Sequence, residues 1–214
     1  MRKRAYDATW GRTFAAIYDR VMADAEEAGM RDRRRELIAG ARGRTVELGA
    51  GTGLNFAHYP EAVTELILTE PFEPMARRLR ERAEGGELSV SVVEAPADRL
   101  PIADDWADTV VCTLVLCTVD DVPATLAEVD RILKPGGTLL FAEHVRSVDP
   151  GLARWQDRLE GPWKFVGHGC RCNRDTVAAI EASSLTLGPV ELGQLPKAAP
   201  IVRPLAVGSA SKPA

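Results

Sequence analysis

The sequence contains no run of about 20 apolar residues, so no segment is expected to span a membrane. No apolar stretch follows the charged start MRKRAYDATW, as a secretory leader would require. The expectation is a cytoplasmic protein with reduced thiols. Basic charge is not in excess: 27 Lys and Arg stand against 31 Asp and Glu, a net −4, which speaks against general nucleic-acid affinity. Histidine occurs three times and cysteine four times, so a metal site has little to draw on. Cys112 and Cys117 lie in an apolar run. Cys170 and Cys172 form a bare CxC without a second pair or a histidine couple, and no metal is expected. There are no internal repeats, and the only low-complexity stretch is the closing SASKPA.

What is present suits one α/β domain. The chain has 214 residues, 45% of them hydrophobic. Residues 9–40 read as helix, with Trp10, Phe14 and Tyr18 recurring every four residues, and residues 1–40 are expected to form a helical cap on the domain formed by 41–214. Strands are expected at 44–50, 64–70, 87–95, 107–117 and 138–145. Helices should fall between them: a short one in LNFAHYP, one opened by Pro74 and stopped by glycines, and one stopped by Pro-Gly-Gly at 135–137. That alternation predicts βαβ units and a parallel sheet. After residue 148, two helices and two strands follow, and the proline-bearing last strand suits a sheet edge.

The stretch TVELGAGTGLN carries Gly49, Gly51 and Gly53 between the first strand and a helix. Ligands bind beyond the carboxyl ends of such strands, and glycines there let backbone approach a ligand closely. The spacing is GxGxG, not the GxGxxG of dinucleotide sites, which speaks against a nicotinamide reductase. Glu47 precedes the glycines, giving the acidic-x-G-x-G-x-G pattern of S-adenosylmethionine-dependent methyltransferases. Glu47 places negative charge near the cofactor's aminoacyl end. Glu70 ends the second strand 21 residues after Gly49, where a ribose-binding carboxylate is expected about 20 residues on.

With TEP, ADRLPIADDWADTVV, VLCTV and EVDRILKPGGTLLFAEH, residues 45–143 resemble a class I methyltransferase of the group that includes the ubiquinone/menaquinone C-methyltransferases. The resemblance implies a Rossmann-like, seven-stranded, mostly parallel sheet with the last strand antiparallel, helices on both faces and the N-terminal helical cap. It also implies S-adenosyl-L-methionine as cofactor and S-adenosyl-L-homocysteine as product. A narrower resemblance, carried by VVCTLVLCTV, AEHV, ARWQDRLEGPWKF, GC before NRDT, and the closing VRP, is to the animal methyltransferase-like thiol S-methyltransferases. Those proteins carry an N-terminal membrane anchor, and this chain is read as lacking one.

Position by position, the resemblance implies that Gly49, Ala50, Gly51 and Gly53 line the methionine and adenosine. Asn55 caps the next helix or reaches the cofactor. Glu70 holds the ribose, Pro71 and Phe72 flank the adenine, and Ala97 and Asp98 meet its edge. Pro96 stands where the family often has an Asp, which leaves Asp98 or a backbone carbonyl for the adenine amino group. Thr113 and Leu114 face the transferred methyl, and Tyr18 is a lid residue or a core aromatic.

A thiolate is a strong nucleophile with an ordinary pKa of about 8.5, so a basic residue helps without being obligatory. His144, ending the fifth strand, is the first candidate to accept a proton or stabilise a thiolate, and His168 in FVGHGCRC could line the acceptor pocket. His58 is read as structural. Cys117 lies where related enzymes often place a histidine, and is read as a buried small hydrophobe. Trp155, Trp163 and Phe165 are either an acceptor wall or core. The run RDRRRE at 31–36 is read as a solvated helix face in preference to a membrane contact. The expected partner is a small, partly apolar acceptor, a thiol first. The competing readings are a phosphatidylethanolamine-type N-methyltransferase and a non-catalytic cofactor-binding module.

Overall fold

Strands that are apolar on both faces belong in the middle of a sheet covered by helices. β1 (Gly43–Leu48), β4 (Ala107–Thr113) and β5 (Leu133–His144) have that character, and their inner residues are almost wholly buried. The computed structural model describes residues 5–84 and 88–214 and pairs these three as neighbours. β2 (Val63–Thr69) and β3 (Val90–Val93) extend the sheet on one side. β7 (Pro204–Ser211) and β6 (Thr186–Gln194) extend it on the other. The order is β3-β2-β1-β4-β5-β7-β6. The first five strands are mutually parallel, and β7 runs antiparallel to both β5 and β6.

The expected fold class is therefore the observed one, with one correction. The last strand is internal, not an edge: β5 pairs one side of it (His144 opposite Leu205) and β6 the other (Gln194 opposite Pro204). Its proline is the first residue, before a ladder N–H is needed. The true edge is β6, where Pro189 lies at a register shift between Leu187 and Val190. A second correction concerns LNFAHYP, which forms turns and a single 3-10 turn, Phe56–His58, instead of a helix.

Helices cover both faces. α4 (Val122–Ile132) and α6 (Thr176–Glu181) pack on one face through Val122, Leu126, Val129, Ile132 and Ile180, against Val46, Val110, Leu139 and Phe141. α2 (Arg31–Ile38) and α3 (Glu73–Ala83) cover the other through Ile38 and Leu79, against Leu66, Leu68, Val111 and Leu140. Capping chemistry sets the helix starts. The Asp121, Asp149 and Asp175 side chains accept from the backbone N–H of Ala124, Leu152 and Ala178, opening α4, α5 (Pro150–Val166) and α6. α1 (Arg12–Ala25) leads through a π-turn, Glu26–Met30, into α2, and the chain breaks direction at Gly29 (φ 126°). Gly85, Gly86 and Glu87, the expected end of one helix and start of the third strand, lie outside the described residues, as do residues 1–4 of the cap.

Phe141 is wholly buried at the centre of this sheet and contacts the glycine backbone at Gly208 across β7. Phe141→Ala should cost about 3–5 kcal/mol of stability, read from denaturant unfolding. A loss below about 1 kcal/mol would contradict this packing.

Candidate functional site

The carboxyl ends of β1, β2, β4 and β5 meet at one rim of the sheet, and each carries polar side chains. After β1 the backbone turns through three left-handed glycines, and their surroundings differ. A Cβ on Gly49 or Gly53 would strike Val115 or Leu79 at 2.8 Å, so protein packing accounts for these two. At Gly51 (φ 59°) a Cβ would meet only the Gly49 carbonyl at 3.9 Å. Gly51 is therefore the glycine that faces open space. Its N–H donates to Glu70 Oε2 at 3.0 Å, and the Phe72 N–H donates to Glu70 Oε1 at 2.8 Å. Burial pushes the Glu70 carboxyl up to about 7, against the pull of those two N–H groups. The carboxylate at the end of β2 is thus held in place by the glycine turn.

Below the turn lies a buried polar network. Asn55 Nδ2 donates to Glu47 Oε1 and to Thr113 Oγ1, both at 2.8 Å, and the Tyr59 hydroxyl donates to Glu47 Oε2 at 2.7 Å. Burial raises the Glu47 pKa, and the Tyr59 and Asn55 hydrogen bonds oppose the rise. Asn55 makes no helix cap. From the cap, Arg34 enters this network: its Nη1 donates to Asn55 Oδ1 at 2.9 Å and Thr113 Oγ1 at 3.2 Å, and its Nε pairs with Glu26 at 2.9 Å. Arg34 is 3% exposed, so the reading of 31–36 as a solvated face fails at this residue. The signal was its spacing. Met30, Arg34 and Ile38 recur every four residues, and the two flanking residues are wholly buried.

Tyr18, Arg34, Glu47, Gly49, Ala50, Gly51, Leu54, Asn55 and Thr113 surround one cavity of ≈ 20 Å³. Seven of these are residues singled out from the sequence; Gly53 packs on α3 instead and does not line it. A site for a drug-sized molecule needs roughly 300 Å³ or more, so the cap is closed on the rim in this conformation. Desolvation lifts the Tyr18 phenol to about 12, so it stays a neutral hydroxyl. Asp19, the next residue, bonds Thr52 in the glycine turn and Arg82 of α3. His168 stacks on Tyr6 and Phe14 of the cap and packs at a tilt against Phe72. It is thus part of an aromatic latch that holds the cap to the loop after β2.

At the ends of β4 and β5, Leu114 takes a left-handed backbone (φ 60°), and its N–H donates to the Ala142 carbonyl at 2.9 Å. Glu143, buried, accepts from the N–H groups of Val115, Leu116 and Cys117 at 2.8–3.2 Å. Side chains alternate along a strand, so His144 shares a face with Ala142, which packs with Tyr18 and Leu114 under the cap. Burial pulls the His144 pKa down to about 4, although the Val202 and Pro204 backbone carbonyls favour its charged form. Its Nδ1 is buried without a hydrogen-bond partner. His144 is therefore a neutral imidazole with a free lone pair. Ala97 is buried in the main core, whereas Asp98 and Pro71 are exposed. Trp155 and Phe165 are 55% and 58% exposed, so neither is core, and Phe165 packs edge-on against Tyr6 of the cap. Trp163 packs beside Cys117, Cys170 and Cys172. Among the described residues no group of three or more His, Cys, Asp or Glu is placed to hold a metal ion, and no helix is long and apolar enough to cross a membrane.

A family model for the methyltransferase domain matches residues 46–141. The chain is similar to thiol S-methyltransferase TMT1B of Homo sapiens, 36% identical over 172 residues, 75% of this chain and 70% of that one. It is also similar to thiol S-methyltransferase TMT1A of Homo sapiens, 34% identical over 212 residues, 93% of this chain and 83% of that one. Among solved structures, a SAM-dependent methyltransferase from Thermotoga maritima matches with a TM-score of 0.69 at 22% identity, covering 95% of this chain and 98% of that one.

Arg34→Ala would leave the Glu26 carboxylate buried and unpaired, and should cost about 3–5 kcal/mol. Arg34→Lys, which keeps the charge but not the fork, should cost less. Denaturant unfolding of both variants measures this, and equal losses would mean that the charge alone, without the guanidinium fork, contributes nothing.

Proposed function

The chain belongs to the S-adenosylmethionine-dependent methyltransferases, and on that premise we propose that it methylates the sulfur of a small, partly apolar thiol. The observation that carries the choice of sulfur is the similarity over 93% of the chain to a relative named as a thiol S-methyltransferase. The cofactor supplies a methyl group already activated on a cationic sulfur, so the protein contributes binding, orientation and proton handling.

The residues at the rim fit that cofactor. Glu70, already oriented by the Gly51 and Phe72 N–H groups, accepts from the ribose hydroxyls. Glu47 and Arg34 place one anion and one cation around a single cavity, complementary to the ammonium and carboxylate of an amino acid. Gly51 lets backbone approach the ligand, and Thr113 and Leu114 border its methyl end. Gly49, Ala50 and Asn55 complete this wall, and the exposed Pro71 and Asp98 lie outside it. Admission requires the cap to open, and Gly29, where the chain breaks between α1 and α2, is the pivot. Tyr18 and the His168 latch then close over the bound ligand. His144 receives the acceptor's proton at Nδ1, or holds the S–H by a hydrogen bond while the thiolate forms. A thiol needs no more than this, whereas an amine or a carbon acid would need a stronger base than a histidine held near pKa 4. The setting we assign is the cytoplasm, where thiols are kept reduced.

The direct test is mass spectrometry of a mixed panel of small thiols, amines, quinols and phosphatidylethanolamine vesicles after incubation with S-adenosylmethionine. Addition of one methyl to thiols alone is expected. Methylation of the amine or the lipid instead would overturn the assignment. Glu70→Ala should weaken cofactor binding by about tenfold or more, as expected for loss of a charged hydrogen-bond acceptor. His144→Ala should lower kcat with cofactor affinity unchanged, and full activity would end its role.

The pH dependence of binding follows from Glu70. A carboxyl held near 7 is still largely protonated just below neutrality, and the ionised form is the better acceptor. Affinity for S-adenosylhomocysteine, measured calorimetrically, should therefore rise from about pH 6 to about pH 8. A flat profile in the wild type, or the same rise in Glu70→Gln, would remove Glu70 from the ribose site.

A further inference from the structure

Three of the four cysteines come together although they lie in two distant segments. Cys117 ends the turn after β4, and Cys170 and Cys172 lie in the loop between α5 and α6; all three pack in one small cluster with Val202. The Arg171 N–H donates to the Cys117 carbonyl at 2.8 Å, which draws the neighbouring Cys170 alongside Cys117. Each thiol is the strongest influence on the other's titration, as expected for neighbours in that cluster. Two thiols in one buried cluster, on segments tied by a backbone hydrogen bond, are the arrangement from which a disulfide forms with little chain movement. The methyl-transfer site gives neither thiol a task.

We propose that Cys117 and Cys170 are an oxidisable dithiol, a modification site that a low-molecular-weight disulfide converts to an internal disulfide. Cys170 is the attacking thiol. It is 6% exposed, against 0–1% for the other three cysteines. The neighbouring Cys117 thiol and the Arg174 cation favour its thiolate and hold its pKa below the ordinary thiol value. Burial pushes Cys172 the other way, up to about 11, which leaves it a bystander. Cys112 is raised as well, by burial and by Glu143.

The Cys170 thiolate attacks one sulfur of R–S–S–R, forming Cys170–S–S–R and expelling RS⁻. Cys117 gives up its proton to that thiolate and attacks the Cys170 sulfur. The Cys117–Cys170 bond forms and a second RS⁻ leaves, taking a proton from solvent. The protein loses two electrons, and the disulfide is reduced to two thiols. The new bond joins the turn held by Glu143 to the loop whose His168 latches the cap.

The test is exposure of the full chain to 2-hydroxyethyl disulfide, then denaturation, alkylation and peptide mapping without reduction. The wild type should become two hydrogens lighter and yield one linked peptide joining Cys117 to Cys170, reversed by dithiothreitol. Cys172→Ser and Cys112→Ser should still form the link, and Cys170→Ser should lose it. Circular dichroism checks that each variant is folded. Alkylation of all four cysteines in the treated wild type would overturn the proposal. So would a link from Cys170 to Cys172, or a mixed disulfide on Cys170 that Cys117 never resolves.

Discussion

A guanidinium cannot sit in a protein interior without partners for its charge and its N–H groups. Arg34 is such a group, and much of the site is arranged around it. It takes an anion from its own cap (Glu26), an amide oxygen from the glycine turn (Asn55) and a hydroxyl from the end of β4 (Thr113). Those three acceptors come from segments far apart in sequence. Satisfying one side chain therefore fixes the cap, the turn after β1 and the end of β4 relative to one another. Asn55 passes the constraint on to Glu47, and Tyr59 closes the chain of bonds.

Carboxylates at strand ends repeat the device. Glu47 lies at the end of β1, Glu70 just beyond β2 and Glu143 near the end of β5, and all three are buried. Each gathers backbone or side-chain donors from a neighbouring loop. Glu143 has the most consequence for geometry, because three successive N–H groups converge on it and set the path of the chain after Leu114. Burial raises the pKa of all three. Such a rim is tuned by what enters it: donors from a ligand stabilise the ionised forms that burial opposes.

The sheet and the glycine turn were legible in the sequence because short-range patterns specify them. Continuous apolar runs mark buried parallel strands, glycine spacing marks the turn, and Glu70 follows at a fixed distance. What could not be read depends on contacts between remote segments. Only its spacing from Met30 and Ile38 sets Arg34 apart from Arg33 and Arg35 in the sequence, and its partners come to it once the turn and β4 are folded beneath it. His168, read as a pocket residue, stacks in the cap latch because Phe72 and Phe14 are brought to it from elsewhere. Trp155 and Phe165 form an aromatic pattern that predicts burial, yet both are more than half exposed. The last strand was assigned to an edge on the strength of its proline, and pairing with β6 outweighed that local cue because Pro204 precedes the ladder.

The two rims of the sheet bear on how the molecule behaves in a crowded solution. One rim is β3, only four residues long; the other is β6, interrupted by Pro189 and by the register shift beside it. Among the described residues, neither presents a long unbroken row of free N–H and C=O groups to a passing chain. Short length on one side and an interruption on the other are the means by which a sheet discourages a further strand from adding to it, which matters most where newly made copies emerge close together.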